Sequence, residues 1–417
     1  MTAYFDELET RDPRERETSL FSRLPAFLAE AFANTERLKG WLGDIDSHEI
    51  DCRAALAALP VLRKPELMRM QADNPPFGGL ASTHALRGNR VFMSPGPVWE
   101  PQAPGVDAWQ SARALFAVGI RAGDTLHNAF SYHMTPGAFI VDDGARALGC
   151  LVFPAGVGNT DAQVDAAAML KPTAFAGTPD YLKVMLDRAM ETGRDLSSIK
   201  RALVSGGALF PSMREEYQQR GVHVLQAYAT ANIGVIAYES ADAGGNPLPG
   251  MIVNENIIVE IVRPGTGEPL PDGEVGEIVV TTLNPAYPLI RFGTGDMSAI
   301  LEGSSPCGRT GARIKGWMGR ADQRTKVKGM FVDPKQIDMV LKRHPELAKA
   351  RLVVIRKDDE DAMIMEVEPI GENEADATAI AASLSDVTKL RGEVVVRPAG
   401  SLPNDGKVIA DERDYEA

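Results

Sequence analysis

Four short segments hold the residue types that could do chemistry together. They are Gly177-Thr178-Pro179, Ser205-Gly206-Gly207-Ala208, Gln226-Ala227-Tyr228-Ala229-Thr230 and Arg291-Phe292-Gly293-Thr294-Gly295-Asp296. A Ser-Gly-Gly turn has little side chain to keep a flat ring off its backbone. An aromatic at a strand end, as at Tyr228, can cover the other face of such a ring by stacking. A carboxylate in a glycine-flanked turn, as at Asp296, can accept hydrogen bonds from two neighbouring sugar hydroxyls. Taken singly, each segment reads more readily as ordinary structure: a turn, a core tyrosine, a cap. Their order along the chain is what gives them weight.

The surrounding pattern says how these segments are positioned. From about 110 to 240, apolar runs (Thr125–Phe130, Leu151–Pro154, Ala174–Gly177, Arg201–Ser205, His223–Tyr228) alternate with amphipathic stretches (Asp161–Leu170, Tyr181–Thr192, Pro211–Arg220). Strand, helix, strand at this spacing predicts an α/β fold with parallel sheet flanked by helices. Ligands of such sheets bind beyond the C-terminal strand ends, where these segments fall. Residues 19–70 predict helices, with Leu20, Phe21, Leu24, Phe27, Leu28 and Phe32 at three- and four-residue spacing. A breaker-rich loop follows at Asn74–Leu80. Near 245 the pattern changes: Met251–Arg263 and Glu274–Leu283 are rich in Ile and Val around a Gly- and Pro-dense Pro264–Asp272. That predicts antiparallel hairpins in a small β subdomain over about 245–315. Strands near Ala350–Ile355 and Met363–Val367, with helices near Pro334–Arg343 and Asn373–Leu384, predict a small α+β C-terminal domain. The expected organisation is a large N-terminal domain over 1–320 and a small mobile one over 321–417.

Composition narrows the partners. The chain has 417 residues, 44% hydrophobic and 24% charged, with 44 Lys and Arg against 57 Asp and Glu for a net charge of −13. Nucleic acid and anionic membranes both favour a basic surface, so neither is an expected partner. Three cysteines (Cys52, Cys150, Cys307) make no disulfide framework and suit a reducing compartment. No apolar run approaches the roughly eighteen residues that a membrane helix needs. Met1 to Thr18 is mixed in charge and lacks an apolar signal core, so a cytoplasmic protein is expected.

The order of the four segments resembles the adenylate-forming (AMP-binding) acyl-CoA synthetases, most closely their phenylacetate–CoA ligase branch. The resemblance runs from about Asn74 to the C-terminus. Its most specific pieces are Asn74–Leu80, Gly177–Leu182, Pro288–Asp296, Gly319-Arg-Ala-Asp-Gln-Arg-Thr-Lys-Val-Lys-Gly329 and Leu402-Pro-Asn-Asp-Gly-Lys407. What it implies is an ATP-dependent acid–CoA ligase acting on an aromatic or other organic carboxylic acid. The acid attacks the α-phosphate of ATP, giving an acyl-adenylate and pyrophosphate; the thiol of coenzyme A then displaces AMP. By the same resemblance, Ser205, Gly206, Gly207 and Ala208 lie against adenine and Tyr228 stacks on it, with Ala229 and Thr230 beside it. Asp296 holds the ribose, Arg320 approaches ribose or phosphate, and Asp322 is the hinge of the small domain. Lys407 neutralises charge at the α-phosphate, an electrostatic role worth several kcal/mol in a dry site. His127 and His133, with Gly177 and Thr178, are candidates for the acyl pocket.

The chain also departs from that family. Where the family's phosphate loop reads Ser-Ser-Gly-Thr-Thr-Gly-Lys-Pro, this chain has Ser94-Pro95-Gly96-Pro97-Val98-Trp99-Glu100. Ser94 and Gly96 are the remnants; Pro95 and Pro97 remove backbone donors, and Glu100 would repel phosphate if it faced inward. Where the family has Tyr-Gly-x-Thr-Glu, this chain has Tyr228-Ala-Thr-Ala-Asn232, so Mg2+ near Asn232 would meet a neutral and weaker ligand. Glu239 is a remote substitute. Some relatives carry a Cys/His zinc site; the matching positions here are Ser240, Ile252, Ser305 and Cys307, so no zinc is expected. Two alternatives therefore stand beside the ligase: an adenylation-deficient relative that binds AMP or acyl-CoA, and an enzyme of another acyl transfer in the same pocket. A homodimer stands open as the assembly.

Overall fold

Asp12 starts the first long helix by accepting hydrogen bonds from the backbone N–H groups of Arg14 and Glu15, with Pro13 at the first helical position. That helix, α1 (Pro13–Asn34), buries Leu20, Leu24, Leu28 and Ala31 along one face. The computed structural model describes residues 4–43, 45–82, 86, 89–321, 323–357, 360–371, 375–398, 400–403 and 407–413. The expected hinge Asp322 and the expected helix start Asn373 lie outside the described residues.

The chain continues through α2 (Leu38–Leu42), α3 (Arg53–Ala57), β1 (Leu62–Arg63) and α4 (Lys64–Asp73) to a hairpin of β2 (Val91–Ser94) and β3 (Val98–Pro101). Next come α5 (Ala112–Ala117), β4 (Thr125–Asn128), α6 (Gly137–Ala147), β5 (Leu151–Phe153), α7 (Thr160–Leu170), β6 (Ala174–Gly177), α8 (Pro179–Thr192), β7 (Arg201–Val204) and α9 (Pro211–Gln219). A strand-rich run follows: β8 (His223–Thr230), β9 (Gly234–Ala241), β10 (Pro247–Val253), β11 (Ile257–Val262), β12 (Gly276–Thr282), β13 (Phe292–Ser298), β14 (Ile300–Leu301) and β15 (Arg313–Ile314).

Among the described residues these strands form a nine-stranded sheet ordered β14-β15-β10-β9-β8-β7-β6-β4-β5 and a four-stranded sheet ordered β1-β13-β12-β11. Pairing is parallel from β5 through β8 and antiparallel from β8 outward to β14. The expected α/β class is therefore what is seen. The stretch 245–315, however, does not stand as a sheet of its own. Met251–Arg263, read as one strand, breaks at Asn254–Asn256 and passes from the first sheet to the second. The amide of Asn254 donates to the carbonyls of Gln110 and Val235, and Asn256 takes a left-handed φ of 56°.

The chain divides into two compact units, Met1–Trp317 and Met318–Ala417. The second contains β16 (Thr325–Val327), β17 (Met330–Val332), α10 (Pro334–Arg343), β18 (Leu347–Lys357), β19 (Glu360–Pro369), α11 (Ala377–Thr388), β20 (Glu393–Val396) and β21 (Ile409–Asp411). Its four-stranded sheet runs β20-β19-β18-β21 over a core that includes Ile337, Val340, Leu352, Val354, Ile380 and Leu384. Helix α11 starts later than expected because Asp376 caps it through the N–H groups of Thr378 and Ala379. Among the described residues no helix is long and apolar enough to cross a membrane.

Candidate active site

Three parallel strands bring their C-terminal ends level, since Gly177 is in register with Val204 and Val204 with Gln226. Thr178 caps α8, accepting the N–H of Tyr181 at 3.3 Å. Ser205 to Ala208 turn out of β7 with Gly206 at a φ of 72°, where a side chain would be strained. The side-chain amide of Gln226 donates to the Gly207 carbonyl at 2.8 Å, so β8 holds that turn in place. A backbone surface with few side chains thus sits where a planar ring could lie.

Asp296 is not in a turn, as expected, but inside β13. Glu277 faces Met297 whereas Val279 faces Gly293, so β13 carries extra residues there and bulges. Gly295, with a φ of 75°, makes the bulge possible. Thr294 Oγ1 steadies it by donating to the Ile278 carbonyl at 3.0 Å and accepting the Asp296 N–H at 3.1 Å. The carboxylate is then held through both oxygens. The Tyr228 hydroxyl donates to Oδ2 at 2.8 Å, and the Trp317 indole N–H donates to Oδ1 at 3.0 Å. A carboxylate accepts about four hydrogen bonds, so one ring donor on each oxygen fixes its plane and is compatible with two sugar hydroxyls. Trp317 was invisible to sequence reasoning; its one signal is a donor-only aromatic just before Gly319-Arg320.

Past Tyr228 the strand carries Ala229 and Thr230, and Asn232 lies in the turn to β9. Thr230 Oγ1 and Asn232 Nδ2 are shielded from solvent without a hydrogen-bond partner among the described residues. Buried polar groups of this kind call for a partner, and an anionic oxygen suits an amide or hydroxyl donor. A resident divalent cation does not fit. Asn232 is neutral, and Glu239, the remote substitute, lies within β9 with both oxygens committed. Oε1 accepts from Arg214 and Oε2 from the Gln226 N–H, each at 2.7 Å.

The hairpin of β2 and β3 occupies the stretch matched to a phosphate loop. Its tip, Pro95-Gly96-Pro97, is exposed, whereas Ser94 and Glu100 are buried. Glu100 turns into the protein and accepts the Ser94 hydroxyl at 2.7 Å. Burial pushes the Glu100 carboxyl up to about 7, with the Ser94 bond and the Lys64 charge pulling partly back. Lys64 Nζ donates to the Pro95 carbonyl at 2.8 Å. Gln71 clamps β3, accepting the Trp99 N–H at 2.9 Å and donating to the Trp99 carbonyl at 2.8 Å and the Tyr287 hydroxyl at 3.1 Å. Ser94, the expected remnant donor for phosphate, thus gives its hydroxyl to a carboxyl instead.

His127, expected at the acyl pocket, is a core residue of the sheet with no exposed surface. Its ring stacks on Phe175 and lies 5.3 Å from Phe153, centre to centre. Gln163 donates its amide to the Gly156 and Gly158 carbonyls, so its oxygen accepts from His127 Nε2 at 2.8 Å. Burial holds the imidazole below its ordinary pKa, which keeps it neutral. His133 is exposed.

In the second unit, Lys407 is exposed at the entry to β21. Gln323 accepts the N–H of Val408 at 2.6 Å and ties this entry to the segment just after Arg320, which is itself half-buried. At the positions matched to a zinc site, the Cys307 sulfur sits 3.1 Å from Ser305 Oγ, 3.4 Å from Ser240 Oγ and 3.6 Å from an Arg309 nitrogen. Ile252 is buried in the neighbouring core. Burial raises the Cys307 thiol, but the hydrogen bonds with Ser240, Ser305 and Arg309 outweigh it and hold the thiol below its usual value.

Comparison with known proteins places these features in company. Residues 131–286 match the family model described as AMP-binding enzyme. A phenylacetate-coenzyme A ligase of Aromatoleum evansii is 32% identical over 329 residues, 76% of this chain and 72% of that protein. One from Thermus thermophilus is 31% identical over 385 residues, 87% of this chain and 84% of that protein. A crystal structure of 2-hydroxyisobutyryl-CoA ligase in complex with 2-HIB-AMP and CoA shares the fold, with a TM-score of 0.78 and 23% identity over 99% of this chain and 93% of that one.

Proposed function

The chain belongs to the phenylacetate–coenzyme A ligase family, and on that premise we propose how its own residues carry the reaction. It is an AMP-forming acid–coenzyme A ligase: ATP and a carboxylic acid give an acyl-adenylate and pyrophosphate, and coenzyme A then takes the acyl group and releases AMP. Ser205 to Ala208 receive the adenine ring, with Gly177 and Thr178 at the neighbouring strand end and Tyr228, Ala229 and Thr230 alongside. Asp296 accepts the ribose hydroxyls. The observation that carries this half of the reading is the Asp296 carboxylate held through one oxygen by Tyr228 and through the other by Trp317.

Thr230 and Asn232 donate to phosphate oxygens, which satisfies their buried polar atoms. Arg320 and Lys407 bring positive charge to the α-phosphate as the acid attacks and pyrophosphate leaves. Magnesium would enter as part of the ATP complex, since Asn232 is neutral and both Glu239 oxygens are already committed. Asp322 serves as the hinge. The acid is an aryl acid, a reading supported by the phenylacetate specificity in the names of the relatives. A pyrophosphate-release screen over aryl and aliphatic acids tests it: release with arylacetates, dependent on both ATP and acid, is expected. Release with aliphatic acids alone would reject the aryl assignment, and ATP-independent acyl transfer would reject the adenylate route.

A further inference from the structure

The buried Ser94–Glu100 pair has a geometry that ionised and protonated carboxyls satisfy in opposite senses. An ionised carboxyl only accepts, so Ser94 must donate its hydroxyl hydrogen to Oε1. A protonated carboxyl can itself donate. The Glu100 O–H would then point to Ser94 Oγ, and the serine hydrogen would be released to another acceptor. Glu100 Oε2 is shielded and has no partner among the described residues, so the ionised form leaves one carboxylate oxygen without a donor.

We infer that Glu100 is a proton-linked positioning residue for ATP: nucleotide binding draws a proton onto its carboxyl, and the Ser94 hydroxyl turns from Glu100 to a phosphate oxygen. This rests on the ligase reading above and on the match of the hairpin of β2 and β3 to the family's phosphate loop. The proton comes from solvent and returns to it when pyrophosphate leaves. Three things favour the uptake. A phosphate near the hairpin adds negative charge beside a carboxyl already shielded from water, which shifts that carboxyl toward its neutral form. Pro95 and Pro97 supply no backbone N–H, so Ser94 is the hydroxyl that the hairpin turn retains. Burial, opposed by the Ser94 bond and the Lys64 charge, already holds the carboxyl at about 7, so little further bias is needed near neutrality.

The charged and titratable groups facing Glu100 are few. Lys64 on α4 favours ionisation, but its ammonium is engaged with the Pro95 carbonyl. The Tyr287 hydroxyl, ahead of β13, is buried, bonded to Gln71, and stays neutral throughout. Ser94 on β2 completes the set among the described residues.

Isothermal calorimetry of the full chain with ATP, run at one pH in two buffers of different ionisation enthalpy, counts the protons taken up. At pH 8 the wild type should take up close to one more proton per ATP than Glu100→Gln, and at pH 7 about half of one. The ATP dissociation constant should rise up to about tenfold per pH unit above 7 in the wild type and stay flatter in the variant. ATP's own titration is common to both proteins and drops out. Should Glu100→Gln fail to fold, the wild type alone suffices: the ATP-minus-free infrared difference spectrum should gain the carbonyl stretch of a protonated carboxylic acid. Equal proton counts in the two proteins, or no such band, would overturn the inference and leave the ligase standing. Failure of ATP to bind while AMP binds would instead overturn the ligase reading, and this inference with it.

Discussion

The Tyr228 hydroxyl and the Asp296 carboxylate are 2.8 Å apart, yet they stand on different sheets. Tyr228 belongs to β8 of the nine-stranded sheet and Asp296 to β13 of the four-stranded one. The bond therefore fixes the distance between the surface that would receive a base and the carboxylate that would receive its sugar. Trp317 adds a second fixed point on the other oxygen.

Trp317→Phe keeps a ring in place and removes the N–H. Loss of one hydrogen bond to a charged acceptor should weaken AMP binding by about tenfold. Calorimetry with AMP measures it, and a thermal melt guards against a purely structural effect. Unchanged AMP affinity would show that Asp296 needs no help from the indole.

Lys407→Ala separates the two half-reactions. Pyrophosphate release should fall by on the order of a hundredfold or more, the scale seen when one transition-state stabiliser is removed. Reaction of a pre-formed acyl-adenylate with coenzyme A should stay within about tenfold, because the centre under attack in that step is the acyl carbon and not the α-phosphorus. Equal loss in both would reject a role confined to adenylation.

Arg291 tests what holds the strand that carries Asp296. The residue is 1% exposed; its guanidinium pairs with both oxygens of Glu260 at 3.0 Å and donates to the carbonyls of Ala57, Leu59 and Gly267. Arg291→Met would leave Glu260 buried and unpaired and should cost about 3–5 kcal/mol in urea unfolding. Adding Glu260→Met should restore much of it. A single-variant loss below about 1 kcal/mol would mean that water reaches Glu260.

Glu100 also leaves a mark on stability. Its carboxyl is raised in the folded chain from 4.5 to about 7, so the native state binds the proton more firmly than the unfolded one. That contribution is full below about 4.5 and is lost as pH rises through 7. Above 7, Glu100→Gln should be more stable than wild type by on the order of 3 kcal/mol, and below 4.5 the difference should vanish. Unfolding at pH 4.5 and pH 8 checks the sign.

Metal content is a separate test. The set around Cys307 offers one sulfur, two neutral hydroxyls and a guanidinium, a set bonded to the thiol and too poor in electron-pair donors to hold a zinc ion. Elemental analysis should find well under one zinc per chain; a full equivalent would show that the matched positions were wrong.

The parallel strands were legible because strands such as Ala174–Gly177 are covered on both faces, so their apolar runs are continuous. The Asp296 bulge was not: a Gly-Thr-Gly-Asp run reads as a turn, and only pairing with β12 across the sequence makes it a strand. For Glu100 the sequence left the direction open. Whether a glutamate after a Pro-Gly-Pro tip faces inward depends on α4 and on Tyr287, far away in sequence. His127 looked like a pocket residue because it sits at a strand end; its enclosure by Phe153 and Phe175 comes from strands on both sides.

β1 pairs in parallel with β13, and Arg16 on α1 reaches Glu255 and the Thr310 carbonyl. During synthesis this means that α1 leaves the ribosome with only its near neighbours, α2 and the turn at Ser47–Glu49, to pack on. Its later partners wait for the chain to reach the region of Thr310, a delay of roughly 10–60 s at about 5–20 residues per second. For that interval the nascent chain presents an apolar helix face to the cell, which makes its earliest segment a natural client of chaperones and the first place where a slow-translating host would lose material to aggregation.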